Sequence, residues 1–259
     1  MPEYINEANQ VTCWTAKCSD EAAPWIVLIH GLSVDHEVWD FMVPDLQRTH
    51  HVMTIDLPDH GGNATPFTVE DAVQELKICM DGLSIQKAVI LGHCIGGIVA
   101  QVFAQKHPDR CSRLILMDTF PVGQRDIDYA SFKWLSRLRK PMMLIQATLF
   151  FNALSSIFAA TAQGEVFLYL MMSQQKPSKI FHAFTEAMQS LSKYPPATLT
   201  CPVYYLMGSR DHLEPIHTWN RKAAKQVGGH YITIKHCGHF PMVDNPELVI
   251  KTVLNCLGP

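Results

Sequence analysis

The sequence carries little charge and no dominant sign of it. Lys and Arg number 21 against 24 Asp and Glu, the net charge is −3, and charged residues make up only 17% of the chain. Without a basic field there is nothing to hold a phosphate backbone, which excludes a nucleic-acid partner. Cysteine is present eight times but at no framework spacing. The opening residues MPEYINEANQ show no basic-then-apolar leader pattern. Both features lead to the expectation of a cytoplasmic, reducing setting, in which Cys79, Cys111 and Cys201 read as small buried hydrophobes. Repeats, low-complexity tracts and long linkers are also missing. The longest uncharged run, Pro141 to Gly164, is nominally long enough to span a bilayer. Thr148, Asn152, Ser155 and Ser156 fall on one side of it at helical spacing, so it is expected to be an amphipathic helix and not a membrane span.

What is present is a core-forming composition, 47% hydrophobic over 259 residues, sufficient for one large α/β domain or two small ones. The first twenty residues read as one or two edge strands. Trp25 to Ile29 is a continuous apolar run, as in a strand buried on both faces of a parallel sheet. Val38 to Gln47 reads as a helix and His51 to Ile55 as the next strand. Thr68 is a helix N-cap, with Asp71 at capping-box distance and the helix running to Gly82. A strand over Lys87 to Leu91, a helix over Ile95 to His107 and a strand over Arg113 to Met117 follow. The alternation lapses from Pro121 to Pro196, which reads as mostly helical. Strands over 202–207 and 230–235 and helices over 216–227 and 247–257 complete the chain. This order predicts a doubly wound, mostly parallel sheet, with a core of residues 1–120 and 197–259 and a helical lid of 121–196 inserted into it.

In such a sheet, functional groups collect at the carboxyl ends of the strands. His30, Asp56, Cys94, Asp118, Asp211 and His239 each follow a predicted strand. Gly92-His93-Cys94-Ile95-Gly96 has the form of a nucleophile elbow, G-x-Nuc-x-G, with cysteine where serine usually stands. A helix begins directly after it, and its unpaired N–H groups favour a thiolate and a developing oxyanion. The competing readings of Cys94 are an inert buried thiol and a cysteine standing in for an original serine.

Four stretches together resemble the α/β-hydrolase superfamily, particularly its small lidded members: H-G-L-S at His30, D-L-P-D-H-G-G-N at Asp56, G-H-C-I-G-G at Gly92, and G-S-R-D-H-L-E-P with C-G-H-F-P-M-V-D-N-P-E near the end. The resemblance spans nearly the whole chain and implies a triad in the order Cys94, Asp211, His239, with Asp118 as a possible alternative acid. It also implies an oxyanion hole formed by the backbone N–H groups of Leu32 and Ile95. His30 reads as a loop-shaping residue. At Asp59 the chain departs from the family, which usually has glycine there, and a change of local turn geometry is all that is expected. No cofactor and no metal are expected; His236, Cys237 and His239 are too tightly spaced for a tetrahedral site.

The resemblance implies hydrolysis of an ester, thioester or lactone in a largely apolar small molecule, through an acyl-cysteine. Acyl transfer or cyclisation on a coenzyme A- or carrier-protein-linked acyl group is the second enzyme reading. A non-catalytic ligand receptor on the same fold is the reading from another class. Met142, Met143, Leu144, Leu149, Phe150, Phe151, Phe158, Phe167, Leu168, Met171 and Met172 are expected, as a group, to roof an apolar pocket, against a plain packing role for each. Lys133, Arg137 and Lys140, at i, i+4 and i+7, offer either a solvated face or a grip on the phosphate of such a carrier.

Overall fold

The structure, a computed structural model, describes residues 3–6, 11–123, 146–195, 198–213 and 216–258. The basic stretch with Lys133, Arg137 and Lys140, and the side chains of Met142, Met143 and Leu144, lie outside the described residues. Among the described residues there are eight strands: β1 (Glu3–Asn6), β2 (Val11–Ala16), β3 (Trp25–Ile29), β4 (His51–Ile55), β5 (Ala88–His93), β6 (Cys111–Met117), β7 (Val203–Gly208) and β8 (His230–Ile234). They form one sheet in the order β1-β2-β4-β3-β5-β6-β7-β8. The β1–β2 and β2–β4 pairs are antiparallel and every other pair is parallel.

Successive residues of the central strands point to opposite faces, and both faces are buried. Val27, Ile29, Ile90 and Leu116 join one core cluster, with α2 (Val69–Gly82), α3 (Ile95–Lys106) and α7 (Ile216–Gln226) packed over it. Ile26, Leu28, Leu91 and Met117 join the other, with α1 (Val43–Leu46) and α9 (Pro246–Leu257) against it. The doubly wound arrangement is therefore as expected. Thr68 caps α2 as expected, its hydroxyl accepting from Asp71 N at 3.0 Å.

Two local expectations fail. The helix expected over Val38 to Gln47 is split into a 3₁₀ turn (His36–Trp39) and the single turn of α1. Pro44, which has no N–H to donate, is compatible only with the first turn of a new helix. The single amphipathic helix expected within Pro141 to Gly164 is also divided. α4 (Ala147–Phe158) stops at Phe158, and Thr161 caps α5 (Ala162–Ser173) by accepting from Gly164 N at 3.0 Å. Thr148, Asn152 and Ser156 are exposed, but Ser155 is buried and donates to Asn152 O at 3.1 Å. Among the described residues no helix is long and apolar enough to cross a membrane.

A third helix, α6 (Pro177–Ser190), completes the described part of the segment between β6 and β7. The pairing of β5 with β6 places His93 beside Met117, and that of β6 with β7 places Met117 beside Leu206. The residues that follow these strands therefore meet at one edge of the sheet.

Candidate active site

At the end of β5 the chain turns sharply. Cys94 has φ 50° and ψ −119°, a conformation that L-residues rarely adopt and that costs about 1–3 kcal/mol. The surroundings hold it there. Cys94 N donates to Met117 O at 3.0 Å, while Cys94 O accepts from Gly97 N at 3.1 Å and from Thr119 Oγ1 at 2.5 Å. Glycine is needed at Gly96, where a methyl group would lie 2.5 Å from the carbonyl oxygen of Ile29. Cys94 is 7% exposed and stands at the N-terminus of α3. As the first residue of that helix, Ile95 has an N–H with no acceptor inside it.

The loop after β3 closes on the same point. Leu57 N donates to His30 Nε2 at 2.9 Å, so the ring proton sits on Nδ1, which donates to Gly31 O at 2.7 Å. Burial, and then the neighbouring His60, lower the His30 pKa to about 3 and keep the ring neutral. With the Gly31 carbonyl held by His30, the planar trans peptide directs Leu32 N–H the opposite way. A methyl group on Gly31 would fall 2.9 Å from Cys94 Cβ, so this turn lies directly against the thiol.

The far side of the site comes from the ends of β7 and β8. His239 Nδ1 donates to Asp211 Oδ2 at 2.9 Å, and the two side chains are 2% and 1% exposed. Asp211 Oδ1 accepts from Leu213 N at 3.0 Å. Burial opposes charge on both partners, but each stabilises the other. Asp211 stays far below the usual carboxylate range, and His239, favoured also by Cys94, is raised well above the usual imidazole value. Nε2 of His239 is buried and makes no well-aligned hydrogen bond, although Cys94 acts on this imidazole. Such loosely aligned pairs are common before substrate arrives.

Asp118 lies in the same pocket of charge. One of its oxygens accepts from Gly208 N at 2.8 Å, and the other is buried without a well-aligned partner. Burial first, and Asp211 second, push its carboxyl well above the usual range. The imidazole hydrogen-bonds to Asp211, with Asp118 alongside the two.

Asp118, Asp211 and His239 also form one of two groups of metal-ligating side chains among the described residues, their atoms within 4.8 Å; the other is Asp35, His36 and Asp56. Hydrogen bonds account for the second group as well. Asp56 accepts from His36 N and His36 Nδ1, both at 2.9 Å, and from Gly62 N at 3.1 Å. His236 is exposed at φ 63°, whereas Cys237 and His239 are buried.

Two contributors have no local signal in the sequence, and a third, Asp59, signals only a change of turn geometry. His93 Nε2 donates to His239 O at 2.7 Å, which ties the elbow to the histidine loop. Asp244 joins that loop to the corner between α4 and α5. Asp59 does more than shape a turn: its carboxylate accepts from Phe67 N at 3.0 Å and pairs with His182 at 3.1 Å and Lys179 at 3.4 Å on α6. The apolar side chains expected to roof a pocket divide differently. Phe150, Phe151, Leu168, Met171 and Met172 belong to the buried core, and Leu149 is exposed. Among the described members, Phe158 is set against the site, its ring centroid 5.1 Å from that of His239.

A sequence profile of the Alpha/beta hydrolase family matches residues 26–252. The chain belongs to that family. It is 24% identical over 235 residues to the pimeloyl-[acyl-carrier protein] methyl ester esterase of Pseudoalteromonas atlantica, covering 87% of this chain and 91% of the relative. It is 30% identical over 249 residues to the 2-succinyl-6-hydroxy-2,4-cyclohexadiene-1-carboxylate synthase of Salmonella arizonae, covering 90% and 94%. The solved structure of MenH from S. aureus superposes with a TM-score of 0.81 at 19% identity, covering 95% and 97%. Family membership and these relatives make this alpha/beta hydrolase an ester hydrolase or a related enzyme.

Proposed function

We propose that this alpha/beta hydrolase cleaves an ester or thioester of a largely apolar acyl group through Cys94, His239 and Asp211. The observation that supports this reading most directly is the polarity of the buried pair. Asp211 occupies Nδ1 of His239, which leaves Nε2 as the nitrogen able to act on the strained Cys94. His239 takes the thiol proton on Nε2, and the thiolate adds to the carbonyl carbon. The N–H groups of Leu32 and Ile95 receive the oxyanion, each such donor stabilising the transition state by about 3–4 kcal/mol. The imidazolium then returns its proton to the departing alcohol or thiol. Water, deprotonated by the same nitrogen, releases the acid from the acyl-cysteine. Asp211 holds the ring in the required tautomer.

A carrier-linked acyl group is the substrate class favoured by the relatives, since the Pseudoalteromonas atlantica protein is named for a carrier-protein methyl ester. The Salmonella arizonae relative is named a synthase, so product analysis with and without an added amine or thiol acceptor must accompany any assay. The decisive test is intact-mass analysis after brief exposure to p-nitrophenyl butyrate, for the native protein and Cys94→Ala. A transient butyryl adduct on the native protein alone is expected. Turnover by Cys94→Ala at the native rate would sink the acyl-cysteine, and ligand binding with neither adduct nor product would instead favour a receptor.

A further inference from the structure

The backbone around His239 is held from two sides. On the sheet side, Arg210 N donates to Cys237 O at 2.8 Å and His236 N donates to Ser209 Oγ at 2.8 Å. On the other side it is bonded to the corner between α4 and α5. His239 N donates to Phe158 O at 2.8 Å. Gly238, immediately before it, donates its N–H to Asp244 Oδ2 at 2.7 Å. The same carboxylate accepts from Ala160 N at 2.9 Å, Thr161 N at 3.0 Å and Thr161 Oγ1 at 3.0 Å. Gly164 packs on it so closely that a methyl group there would stand 2.7 Å from Asp244 Oδ1.

Asp244 ends a short helix, α8 (Pro241–Asp244), five residues beyond His239. Its donors come from the histidine loop on one side and from the α4–α5 corner on the other. Ionised carboxylates accept several N–H and O–H bonds at once, and each is stronger than its neutral counterpart. Thr161 is part of this arrangement, because its hydroxyl donates to Asp244 while accepting from Gly164 N to cap α5. The corner and the histidine loop are thus fastened through one side chain, in addition to the direct bond from His239 N to Phe158 O.

Taking His239 as the base, as proposed above, we infer that Asp244 is a positioning residue: it couples the seating of the α4–α5 corner to the placement of His239 opposite Cys94. When the corner sits on Asp244, the Cys237–Gly238 peptide is held from both sides, through Cys237 O and Gly238 N, and the next peptide is held through His239 N on Phe158 O. When it lifts, His239 N loses Phe158 O, Asp244 loses the donors that hold it in place, and the imidazole drifts. The inserted helices then govern the competence of the base as well as covering it.

Asp244→Asn tests this at constant shape. Its amide oxygen still accepts from Ala160 and Thr161, but the amide NH₂ sets a donor against Gly238 N–H. With p-nitrophenyl butyrate, kcat should fall about 10- to 100-fold, the scale of a sub-ångström to 1 Å misplacement of a catalytic group, with KM nearly unchanged. The acid limb of the kcat/KM profile should also move to lower pH, because a displaced imidazole loses part of the support of Asp211 and Cys94. Thr161→Val, which removes one donor and leaves the carboxylate, should shift both in the same direction by less. His239→Ala is run in parallel. If it is inactive while Asp244→Asn and Thr161→Val keep the native kcat and acid limb and lose only Tm, the coupling is overturned and Asp244 is merely structural. If His239→Ala turns over like the native enzyme, the base assignment falls and the coupling falls with it.

Discussion

His239 and Asp211 share a 2.9 Å hydrogen bond inside a site where neither side chain is more than 2% exposed. Burial alone would strip the charge from both, yet their attraction outweighs it and favours the charged form of each. Removing one member of such a pair leaves the other as an uncompensated buried group.

Asp211→Asn is therefore expected to lower kcat/KM by on the order of 10³-fold or more, through loss of the correct tautomer. It should also move the acid limb to lower pH, because the carboxylate is what raises the imidazole. The sign for stability follows from the same shifts. The raised His239 contributes fully below its unfolded value and is lost as pH rises through its folded one. The depressed Asp211 contributes above its unfolded value and is lost on acidification. The pair thus contributes most between about pH 4 and pH 6.5, and the Tm difference between native and variant should peak in that window. An unmoved acid limb would argue against the pairing.

Asp118 has the opposite linkage. Its folded carboxyl holds a proton that the unfolded chain gives up at about pH 4, so its contribution is complete in acid and declines as pH rises toward the raised value. Asparagine keeps the shape, has no proton to lose, and can donate toward Asp211. Asp118→Asn should keep near-native activity around neutrality and lose less Tm between pH 5 and pH 9 than the native protein. A steeper alkaline loss in the variant would contradict a protonated Asp118.

Gly96→Ala places a methyl group 2.5 Å from Ile29 O. Overpacking of this kind costs about 1–3 kcal/mol, and the shift it forces falls on the His30–Gly31 turn beside Cys94. Thermal melts should show that loss, accompanied by a fall in kcat/KM. Gly62→Ala is the control, since nothing lies within 4 Å of the added methyl, and it should melt with the native protein.

At Asp59 two effects oppose one another. The residue sits at φ 63°, and glycine would relieve about 1–2 kcal/mol of left-handed strain. The ion pairs lost with it involve half-exposed Lys179 and His182, worth at most about 1 kcal/mol each. Phe67 N also loses its buried acceptor, at a cost of about 1–3 kcal/mol, so Asp59→Gly should lower Tm modestly while amide exchange across Pro177–Ser190 quickens. Unaltered exchange there would show that α6 does not depend on this contact.

The sheet and its chemical edge were legible because their signals are local. A β-rich apolar run ending in a turn former announces a strand end within about six residues, and it did so at His30, Cys94, Asp118, Asp211 and His239. The family's glycine-rich turns are equally short strings. What the sequence hides is contact across the chain. The His93–His239 bond spans 146 positions, the His182–Asp59 pair 123 and the Ala160–Asp244 bond 84, and no periodicity encodes such pairings. The break at Phe158 was hidden for another reason: Ala159, Ala160 and Thr161 carry neither glycine nor proline, and the corner is held by Asp244 from outside the segment.

The helix α6, between β6 and β7, contributes to the core on both faces of the sheet. Ile180 joins the core cluster on one face of the sheet, while Ala183, Ala187 and Met188 join the cluster on the other. A bolt passed through two plates cannot be withdrawn without freeing both. Excision of α6 would uncover apolar side chains of both clusters, so a version trimmed of it is expected to lose stability on two fronts. Replacing the helices between β6 and β7 with a relative's would have to keep the small side chains of α6 and the corner donors that meet Asp244.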